Sequence, residues 1–502
     1  MIGCLLRDTV DHGSSVGKSI RRFAFIAILS AFQSVLAPCA QAADQPPVTD
    51  VLPSGVPLPF PSTAPDNLPQ GWDTMVLGDL GGYRSRLRAH GVRINLQDVE
   101  ELWGVASGGL SRGATYDGAT IVTLNLDTDR LIDPQWHGGL FNISAIQLRG
   151  RSVSADRIGA FNTISGYDAG GRGMRLFEMW YAQGFWNNRL DIRLGVMDPD
   201  TEFLVSDNAS LFLNADFGWP GVPSSNLYGG GPSWPFAVPG IRAQIIPTYP
   251  VTILLGVMDD NPTGGPFFSE RSALDMNPSG TRFSMSTGVL VMGEVLVTVD
   301  ASKLSASLEN ALPGTWKLGA LYDSGAFPDR RYDTQGHLLA GPTSNGSPMM
   351  RRKNWMVYGI IDQTVWNPDG DAPEAVSLFA RFMGAGNRGN AMTFGANAGV
   401  TMHGFVPYRP DDVVGLAWGV SNDSAHALDF NRDQLQFGAA DVLPLKAEHH
   451  IELTWQAPVW RGVSVQPDFQ YIHHVGGNIV NGATGKRVKD AAVFGLNTTA
   501  SF

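Results

Sequence analysis

The sequence contains only two cysteines and few charged residues. Cys4 and Cys39 both precede the predicted signal cleavage after Ala42. The mature chain would then have no thiol, which excludes a disulfide-stapled secreted fold and thiolate chemistry. Charged residues make up 17 % of the chain, against roughly 25 % in typical soluble domains. The net charge of −11 argues against nucleic acid as a partner.

The sequence also has no long apolar run that would form a membrane-spanning helix after the N-terminus. The N-terminus itself has the features of a signal peptide over residues 1–42. These features are a basic segment, an apolar run and an A-x-A cleavage site (Lys18, Arg21 and Arg22; 23–36; 40–42). Cleavage there removes four basic and two acidic residues, so the net charge moves from −11 to −13.

Three segments are predicted in the mature chain. Residues 43–75 are rich in proline and predict an extended periplasmic leader without a core of its own. Residues 76–92 predict a short periplasmic helix, with Asp79 placed as its cap. Residues 93–502 show strand patterns and no long helical periodicity, so we expect a β-barrel there.

The final strand is the clearest of these patterns. One face carries Phe502, Ala500, Thr498, Leu496, Phe494 and Ala492, and the other face is small or polar apart from Val493. A period of two predicts a strand with two different environments. About ten tilted residues cross a bilayer, so this predicts the closing strand of a transmembrane barrel, lipid-facing on the Phe502 side. An edge strand of a soluble sandwich explains the alternation but not the terminal aromatic residue.

Candidate strands recur along the rest of the chain, and their number is even, as in bacterial outer-membrane barrels. They are 93–105, 118–127, 139–149, 175–185, 190–197, 240–246, 251–258, 289–299, 315–324, 355–363, 376–383, 394–402, 412–421, 448–456, 463–471 and 491–502. Links after odd-numbered strands are long (198–239, 259–288, 325–354, 422–447 and 472–490). On the opposite side, 186–189, 247–250 and 457–462 are tight, and 300–314 and 364–375 are longer turns. This parity predicts an all-β fold, a sixteen-stranded antiparallel transmembrane β-barrel with long extracellular loops and short periplasmic turns.

Tryptophans near strand ends fit the interfacial girdles of such a barrel. They are Trp103, Trp186, Trp316, Trp355, Trp366, Trp455 and Trp460.

No catalytic, metal or cofactor constellation can be assembled from the sequence. The run around Lys486 fails the phosphate-loop pattern, because Val480 and Arg487 occupy two of its required positions. Adjacent histidines, at 449–450 and 473–474, should point to opposite faces of a strand, which is a poor geometry for one metal ion. A secreted all-β carbohydrate-active enzyme stays as an alternative, because a glycosidase carboxylate pair has no fixed spacing.

Several segments in register resemble the OprB-type carbohydrate-selective porins from Gly78 to Phe502. They are 78–84, 107–110 with 116–118, 175–180, 202–206 with 217–220, 410–416 and 466–471. The resemblance implies a barrel in the outer membrane of a Gram-negative cell that passes mono- or oligosaccharides by facilitated diffusion. It leaves monomer and homotrimer as alternatives. Leu80 departs from the tryptophan that we expect of the family, without changing the assignment.

The expected surroundings follow from that placement. Outer-membrane lipid and lipopolysaccharide would cover the wall, and Phe502 at the periplasmic edge would serve as an assembly signal for the barrel assembly machinery. A general diffusion porin on the same barrel is the alternative function.

The link 198–239 is the longest in the chain and is too apolar to stand in water, so we predict that it folds into the lumen. Sugars need apolar ring faces for their C–H surfaces and fixed donors and acceptors for their hydroxyls. The predicted site residues are Trp219 and Trp234 for stacking, Glu202 and Asp207 as acceptors, Arg193 from the wall, and Arg149 and Glu178 on nearby strands with ambiguous facing. Alternatively, the tryptophans only pin the loop. Replacing Arg193 or Trp219 by alanine should change sugar preference more than ion conductance per unit pore area.

Overall fold

A computed structural model describes residues 75–132, 138–168, 173–269, 271–299, 312–368, 374–386, 388–439 and 441–502. The predicted signal peptide with both cysteines, and the predicted leader 43–75 except for its last residue, lie outside the described residues. Within these ranges, no helix is both long enough and apolar enough to span a membrane.

Sixteen antiparallel strands of the described chain form one closed barrel, which confirms the predicted fold class and strand number. In chain order they are β1 Val92–Gly109, β2 Gly113–Asp127, β3 Gly139–Gly150, β4 Gly173–Phe185, β5 Leu190–Met197, β6 Val238–Thr248, β7 Val251–Asp259, β8 Val289–Val299, β9 Gly314–Asp333, β10 Pro348–Trp366, β11 Ala375–Ala385, β12 Met392–His403, β13 Val413–Asp423, β14 Glu448–Trp460, β15 Val463–His473 and β16 Lys489–Ser501. Each strand pairs with its sequence neighbours, and β1 closes on β16.

The closing strand β16 faces as its alternation predicts. Phe494 and Leu496 are exposed on the outer wall, whereas Val493 and Asn497 are buried on the inside. Leu496 lies opposite Leu102 of β1, and Phe494 contacts the ring of Phe469 at 5.0 Å between centroids. The outside of the seam is therefore apolar and the inside mixed, as expected of a wall between lipid and a wet lumen.

The prediction of a loop at 325–354 is wrong over most of that range, which is β-strand in the structure. Pairing between β9 and β10 continues to Asp333 and Pro348, beyond the last pairs that either strand makes with its other neighbour. The hairpin thus rises above the rim as a two-stranded ribbon. Its Arg331 is held by Asp429 and Asp433 of a loop helix, at 2.7 and 2.8 Å, so the extended backbone is supported from the side.

Loop lengths sort by parity with some exceptions. At one end of the barrel, which we call the long-loop end, lie the links 151–172, 198–237, 260–288, 334–347, 424–447 and 474–488, together with the short links 110–112 and 386–391. The other end has the links 128–138, 186–189, 249–250, 300–313, 367–374, 404–412 and 461–462.

The helices are short and lie in the segment before β1 or in the links between strands. They are α1 Tyr83–Ala89, α2 Thr128–Leu131, α3 Gly221–Asn226, α4 Ala273–Met276, α5 Ala425–Gln436 and α6 Val475–Asn478; single 3-10 turns occur at Leu80–Gly82, Pro199–Thr201, Ala209–Leu211, Ala215–Phe217 and Tyr228–Gly230, a π turn at Ser154–Ile158, and a small ribbon pairs Val480–Asn481 with Lys486–Arg487. The N-cap of α1 is Gly82 rather than the predicted Asp79. The Asp79 carboxylate still accepts a hydrogen bond from the backbone N–H of Ser85 at 2.8 Å.

Most of the predicted girdle tryptophans face outward. Trp186, Trp355, Trp366, Trp455 and Trp460 are exposed, and Trp316 is half-buried. The prediction that Trp103 belongs to the outer girdle is wrong, because its side chain is fully buried on the inner face of β1. Its Nε1 donates to Glu101 at 2.9 Å, which satisfies the indole inside the barrel.

The histidine pairs behave differently from one another. His450 is fully buried inside the barrel, whereas His449 is half-buried on the outer side, as predicted for neighbours on one strand. His473 and His474 do not point to opposite faces. The strand ends at His473, and His474 has φ +54°, so the chain turns and the two rings lie 3.8 Å apart.

Candidate functional site in the barrel lumen

The loop 198–237 between β5 and β6 lies inside the barrel. Its large apolar side chains are buried against the inner faces of the strands β7 to β12. The main contacts join Phe203, Leu204, Trp219, Val222 and Leu227 of the loop with Leu254, Met258, Leu290, Met292, Leu321, Met356, Tyr358, Ile360, Met383 and Met392 of the wall. Burial of apolar surface is thus one force that keeps the loop out of water.

Polar wall side chains add a series of hydrogen bonds to the loop backbone. From β8 to β15 they are Glu294 to Leu204 N (3.2 Å), Lys317 to Val205 O (2.7 Å), Asp362 to Asn208 N (3.1 Å), Arg381 to Leu204 O and Gly218 O (2.9 and 2.8 Å), Glu452 to Leu213 N and Asn214 N (2.6 and 3.0 Å), and Gln466 to Leu211 O (2.7 Å). These bonds satisfy the irregular backbone, which a buried loop requires.

Arg381 shows how far the loop reaches. This residue of β11 is 1 % exposed, and its guanidinium also donates to the backbone carbonyl of Asp216. One planar fork therefore ties carbonyls from two separate turns of the loop to a strand far from β5 and β6. A loop that starts at β5 and is fixed on β11 must cross the lumen and narrow it.

A charged group lies where the loop leaves β5, and it unites two of the predicted site residues. Arg193 of β5 and Arg242 of β6 are directly opposite each other in the register. Arg193 Nη1 lies 2.6 Å from Glu202 Oε1, and Arg242 Nε lies 2.5 Å from Glu202 Oε2. Arg242 also pairs with Asp191. We call Arg193, Glu202 and Arg242 the inner ion group.

The inner ion group is nearly dry but not sealed. The side chains of Arg193, Arg242 and Glu202 are 8 %, 4 % and 11 % exposed. Burial alone would raise the pKa of Glu202, but the charges of Arg193 and Arg242 outweigh it and hold that pKa below its ordinary value. The Arg193 guanidinium also lies over the Trp180 ring, 3.9 Å from its centroid, which fixes its plane.

Glu178 faces inward and supports the base of the loop. It is 8 % exposed, and its Oε1 accepts from the backbone N–H of Asp198 at 3.0 Å. Its Oε2 is 3.5 Å from Asn142 Nδ2. The structure therefore places Glu178 beside the inner ion group as a positioning residue for the loop.

The rings of the two predicted stacking residues pack against other side chains of the protein. Trp219 is 7 % exposed, and its Nε1 donates to Gly230 O within the loop at 2.9 Å. Trp234 makes edge contacts with Tyr167 and Phe177, at 5.6 and 5.0 Å between centroids. These protein contacts favour the alternative in which both tryptophans pin the loop, although Trp234 is only half-buried. The stacking role of Trp219 and Trp234 stays a prediction.

The prediction of Arg149 as a pore residue is wrong, because its side chain lies on the outside of the wall. On β3 the buried residues are Leu140, Asn142, Ser144, Ile146 and Leu148, so the intervening odd positions point outward. Arg149 pairs there with Asp98 and Glu100 of β1, at 2.7 and 2.5 Å. It also donates to Thr120 Oγ1 at 2.7 Å. We call Asp98, Glu100, Thr120 and Arg149 the outer cluster.

Asp207 lies apart from the inner ion group, on the stretch of loop that Lys317 and Asp362 hold. It is half-buried. Burial is the main cause that raises its pKa to about 6, with Lys317 opposing the shift and Asp362 adding to it. The two predicted acceptors are thus not one site, since one is held ionised by arginines and the other titrates near pH 6.

Sequence reasoning missed two arginines that the structure brings in. Arg242 completes the inner ion group, and its inward position on β6 follows from pairing with Arg193 once the register is known. Arg175 of β4 is 3 % exposed, and its guanidinium lies 4.7 Å from the centroid of Phe236. A search for arginines on inward-facing strand positions would have found Arg242, whereas Arg175 is followed by an irregularity in the β3–β4 pairing.

Comparison with known proteins matches this architecture. The family model "Carbohydrate-selective porin, OprB family" matches residues 111–502. Porin B of Pseudomonas aeruginosa is 26 % identical over 441 residues, covering 84 % of this chain and 91 % of that protein. The putative porin QuiX of Acinetobacter baylyi is 24 % identical over 447 residues, covering 85 % and 93 %.

Solved structures share the fold. A high-pH structure of Pseudomonas putida OprB superposes with a TM-score of 0.73 at 23 % identity, covering 86 % of this chain and 99 % of that one. A low-pH structure of the same protein gives a TM-score of 0.51 at 18 % identity, covering 86 % and 98 %.

Proposed function

Because the chain belongs to the OprB family of carbohydrate-selective porins, and is thus an outer-membrane β-barrel porin for carbohydrates, we propose that the inner ion group is its selective constriction. The supporting observation is a loop that crosses a closed barrel and places Glu202 between two wall arginines. Guanidinium N–H groups and carboxylate oxygens are donors and acceptors that sugar hydroxyls can use. Their mutual pairing keeps them in fixed positions.

The charge balance of the site favours a neutral solute. Arg193 and Arg242 are offset by Glu202 and Asp191, so the group has strong local dipoles and little net charge. An ion gains little from such a site, whereas a polyhydroxylated solute can exchange hydrogen bonds along it. Weak, multiple contacts also suit passage, because a tight site would stall the flux.

Liposome swelling with sugars of increasing size, combined with salt conductance in planar bilayers, tests this proposal. A sugar-selective constriction predicts that sugar flux exceeds the value expected from the pore size that salt conductance gives. A general diffusion porin, the alternative function, predicts that sugar and salt flux both follow pore size alone.

The family is one of channels, and we propose that this member has no catalytic activity. Glu178 and Glu452 accept hydrogen bonds from backbone N–H groups of the loop, and Glu202 pairs with two arginines. These carboxylates are thereby committed to structure. Incubation of purified protein with oligosaccharides should give no product, and sugar turnover would favour the carbohydrate-active enzyme instead.

We propose that Phe502 serves barrel assembly at the periplasmic edge. Its backbone N–H donates to Leu96 O of β1 at 2.8 Å. The terminal residue is thereby tied to the seam between β1 and β16. Deleting Phe502 should lower outer-membrane yield while leaving secretion across the inner membrane intact; normal assembly of the truncated chain would remove this role.

The N-terminal processing is also a proposal. We expect the mature protein to begin near Ala43 and to fractionate with outer membranes. N-terminal sequencing of the protein from isolated outer membranes tests both points.

For oligomeric state, we propose a homotrimer on the basis of the outer cluster. Asp98, Glu100 and Arg149 are 30 %, 40 % and 23 % exposed on the outside of the wall. Charged groups on a lipid-facing wall are costly and are better placed against protein. Electrophoresis without heating, compared with an Arg149→Leu/Glu100→Leu/Asp98→Leu variant, should show loss of a trimer band; a wild-type protein that runs as a monomer would contradict the proposal.

A further inference from the structure

Three sequence features that sugar passage does not use meet at one place on the barrel. They are His449, the pair His473 and His474, and the basic run that includes Arg487 and Lys489. His449 is the second residue of β14, His473 is the last of β15, and Lys489 is the first of β16. Because these strands are neighbours, their ends bring the three features together at the long-loop end.

The side chains form a connected group. The rings of His449 and His473 are 6.2 Å apart, and those of His473 and His474 are 3.8 Å apart. Lys446 Nζ lies 3.5 Å from His474 Nε2. We call Lys446, His449, His473, His474, Arg487 and Lys489 the rim cluster.

The rim cluster is basic in a chain of net charge −11. Lys446, Arg487 and Lys489 are exposed. The acid among them is Asp490, which accepts from His473 Nδ1 at 2.7 Å and lies 3.4 Å from Arg487. One carboxylate against three permanent cations leaves a positive surface, which attracts anions.

The rim cluster also lies at the border of the lipid-facing wall. His449 shares its face of β14 with the exposed Ile451, and His473 shares its face of β15 with the exposed Tyr471. Trp418 stacks on His449 at 5.9 Å between centroids. Tryptophan and tyrosine at such positions mark the level of lipid headgroups. The long-loop end is the extracellular end of an outer-membrane barrel, so the cluster stands beside the outer leaflet.

We propose that the rim cluster binds the phosphate groups of the outer-leaflet glycolipid, the lipid A of lipopolysaccharide. Ammonium, guanidinium and imidazole N–H groups are donors for phosphate oxygens. Trp418, Ile451 and Tyr471 below them would contact the acyl chains, which free phosphate lacks. The proposal rests on the outer-membrane placement and gives the lipopolysaccharide contact a position on the wall.

Binding of bisphosphorylated lipid A to the full-length mature protein in detergent micelles, with EDTA present, tests this assignment. The Lys446→Gln/Lys489→Gln variant should bind about 25-fold more weakly, because each of the two basic groups near an anionic lipid contributes roughly 1 kcal/mol, or about fivefold. The matched control is Arg86→Gln/Arg461→Gln, which removes two exposed basic side chains from the opposite end of the barrel. The control should change binding less than twofold; an equal loss in both variants would reduce the effect to net charge and overturn the proposal.

Two further arms identify the ligand. Dephosphorylated lipid A should bind the wild-type protein as weakly as phosphorylated lipid A binds the variant; equal wild-type affinities for both lipids would overturn phosphate recognition. Millimolar inorganic phosphate should not compete, and full competition would overturn the lipid assignment. Sugar flux of the variant should equal that of the wild type, because the rim cluster lies outside the pore. A wild-type protein that binds lipid A but passes no sugar would contradict the porin function and leave the lipid proposal standing.

Discussion

Arg193 and Arg149 have the same chemistry on opposite faces of one wall. Arg193 holds Glu202 at 2.6 Å inside the barrel, and Arg149 holds Glu100 at 2.5 Å outside it. The inner carboxylate is 11 % exposed and the outer one 40 %. Facing and burial therefore decide which pair shapes the pore, and ion-pair geometry alone does not.

The two pairs also differ in what each one fixes. Glu202 belongs to the loop, so its pairing with Arg193 and Arg242 ties that loop to two wall strands. Asp98, Glu100 and Arg149 all belong to strands that are already paired in the barrel. We therefore expect changes on the inside to alter loop position and permeation, and changes on the outside to leave both intact.

Truncating the inner tryptophan should give the largest effect on stability. Trp219→Ala removes a ring that is 7 % exposed in the main apolar cluster, and should lower the free energy of unfolding by about 4 kcal/mol. Sugar and salt flux should rise together if the ring pins the loop, because the variant then widens the pore for every solute. Denaturant unfolding in lipid vesicles and flux assays measure both quantities.

Trp460→Ala is the matched control on the outside, where the ring is 63 % exposed. It should cost about 1 kcal/mol or less in the same unfolding assay. A change in sugar preference at constant salt conductance in Trp219→Ala would instead restore Trp219 as a stacking residue.

Removing the inner carboxylate should have the next largest effect. Glu202→Ala leaves Arg193 buried without its carboxylate partner, and should cost about 3 kcal/mol. Glu100→Ala leaves Arg149 paired with Asp98 and should cost about 1 kcal/mol or less. Equal losses of unfolding free energy in the two variants would remove the distinction between the inner and outer pairs.

The pH dependence of stability should show a smaller effect from Asp207. Its folded pKa is raised to about 6 from an ordinary value of 3.8, so the fold favours the neutral form. Stability from this group is fully present below about pH 4 and is lost as pH rises through about 6. Asp207→Asn should flatten the unfolding free energy of the porin across that window; an unchanged pH profile would show that Asp207 does not titrate there.

The local alternation of apolar and polar residues was enough to predict the strands and the inward facing of Arg193, but not the facing of Arg149. In 190–197 the apolar residues share one face, so Arg193 falls on the other. On β3 both faces mix apolar and polar residues, because the lumen side is covered by packed loops, and the facing of Arg149 could not be read. The full length of β9 and β10 was also not predicted, because it depends on the ion pair of Arg331 with a helix that is distant in sequence.

The loop illustrates the same limit. Its apolar residues predicted entry into the lumen, but whether Trp219 or Trp234 presents a free ring depends on neighbours supplied by other elements. The anchors of the loop, such as Arg381 and Glu452, lie on strands far along the chain. Hydrogen bonds between residues so far apart in the sequence leave no pattern in the neighbouring residues. The sequence therefore placed the site in the loop but did not identify which residues form it.

The most direct measurement is the ratio of sugar flux to salt conductance in Arg193→Gln and Arg149→Gln, reconstituted side by side. The inner variant loses a fixed donor at the constriction, so the ratio should fall about fivefold, the equivalent of one hydrogen bond. The outer variant should keep the wild-type ratio within twofold. An unchanged ratio in Arg193→Gln, or an equal change in both, would contradict a selective constriction at the inner ion group and favour a general diffusion pore.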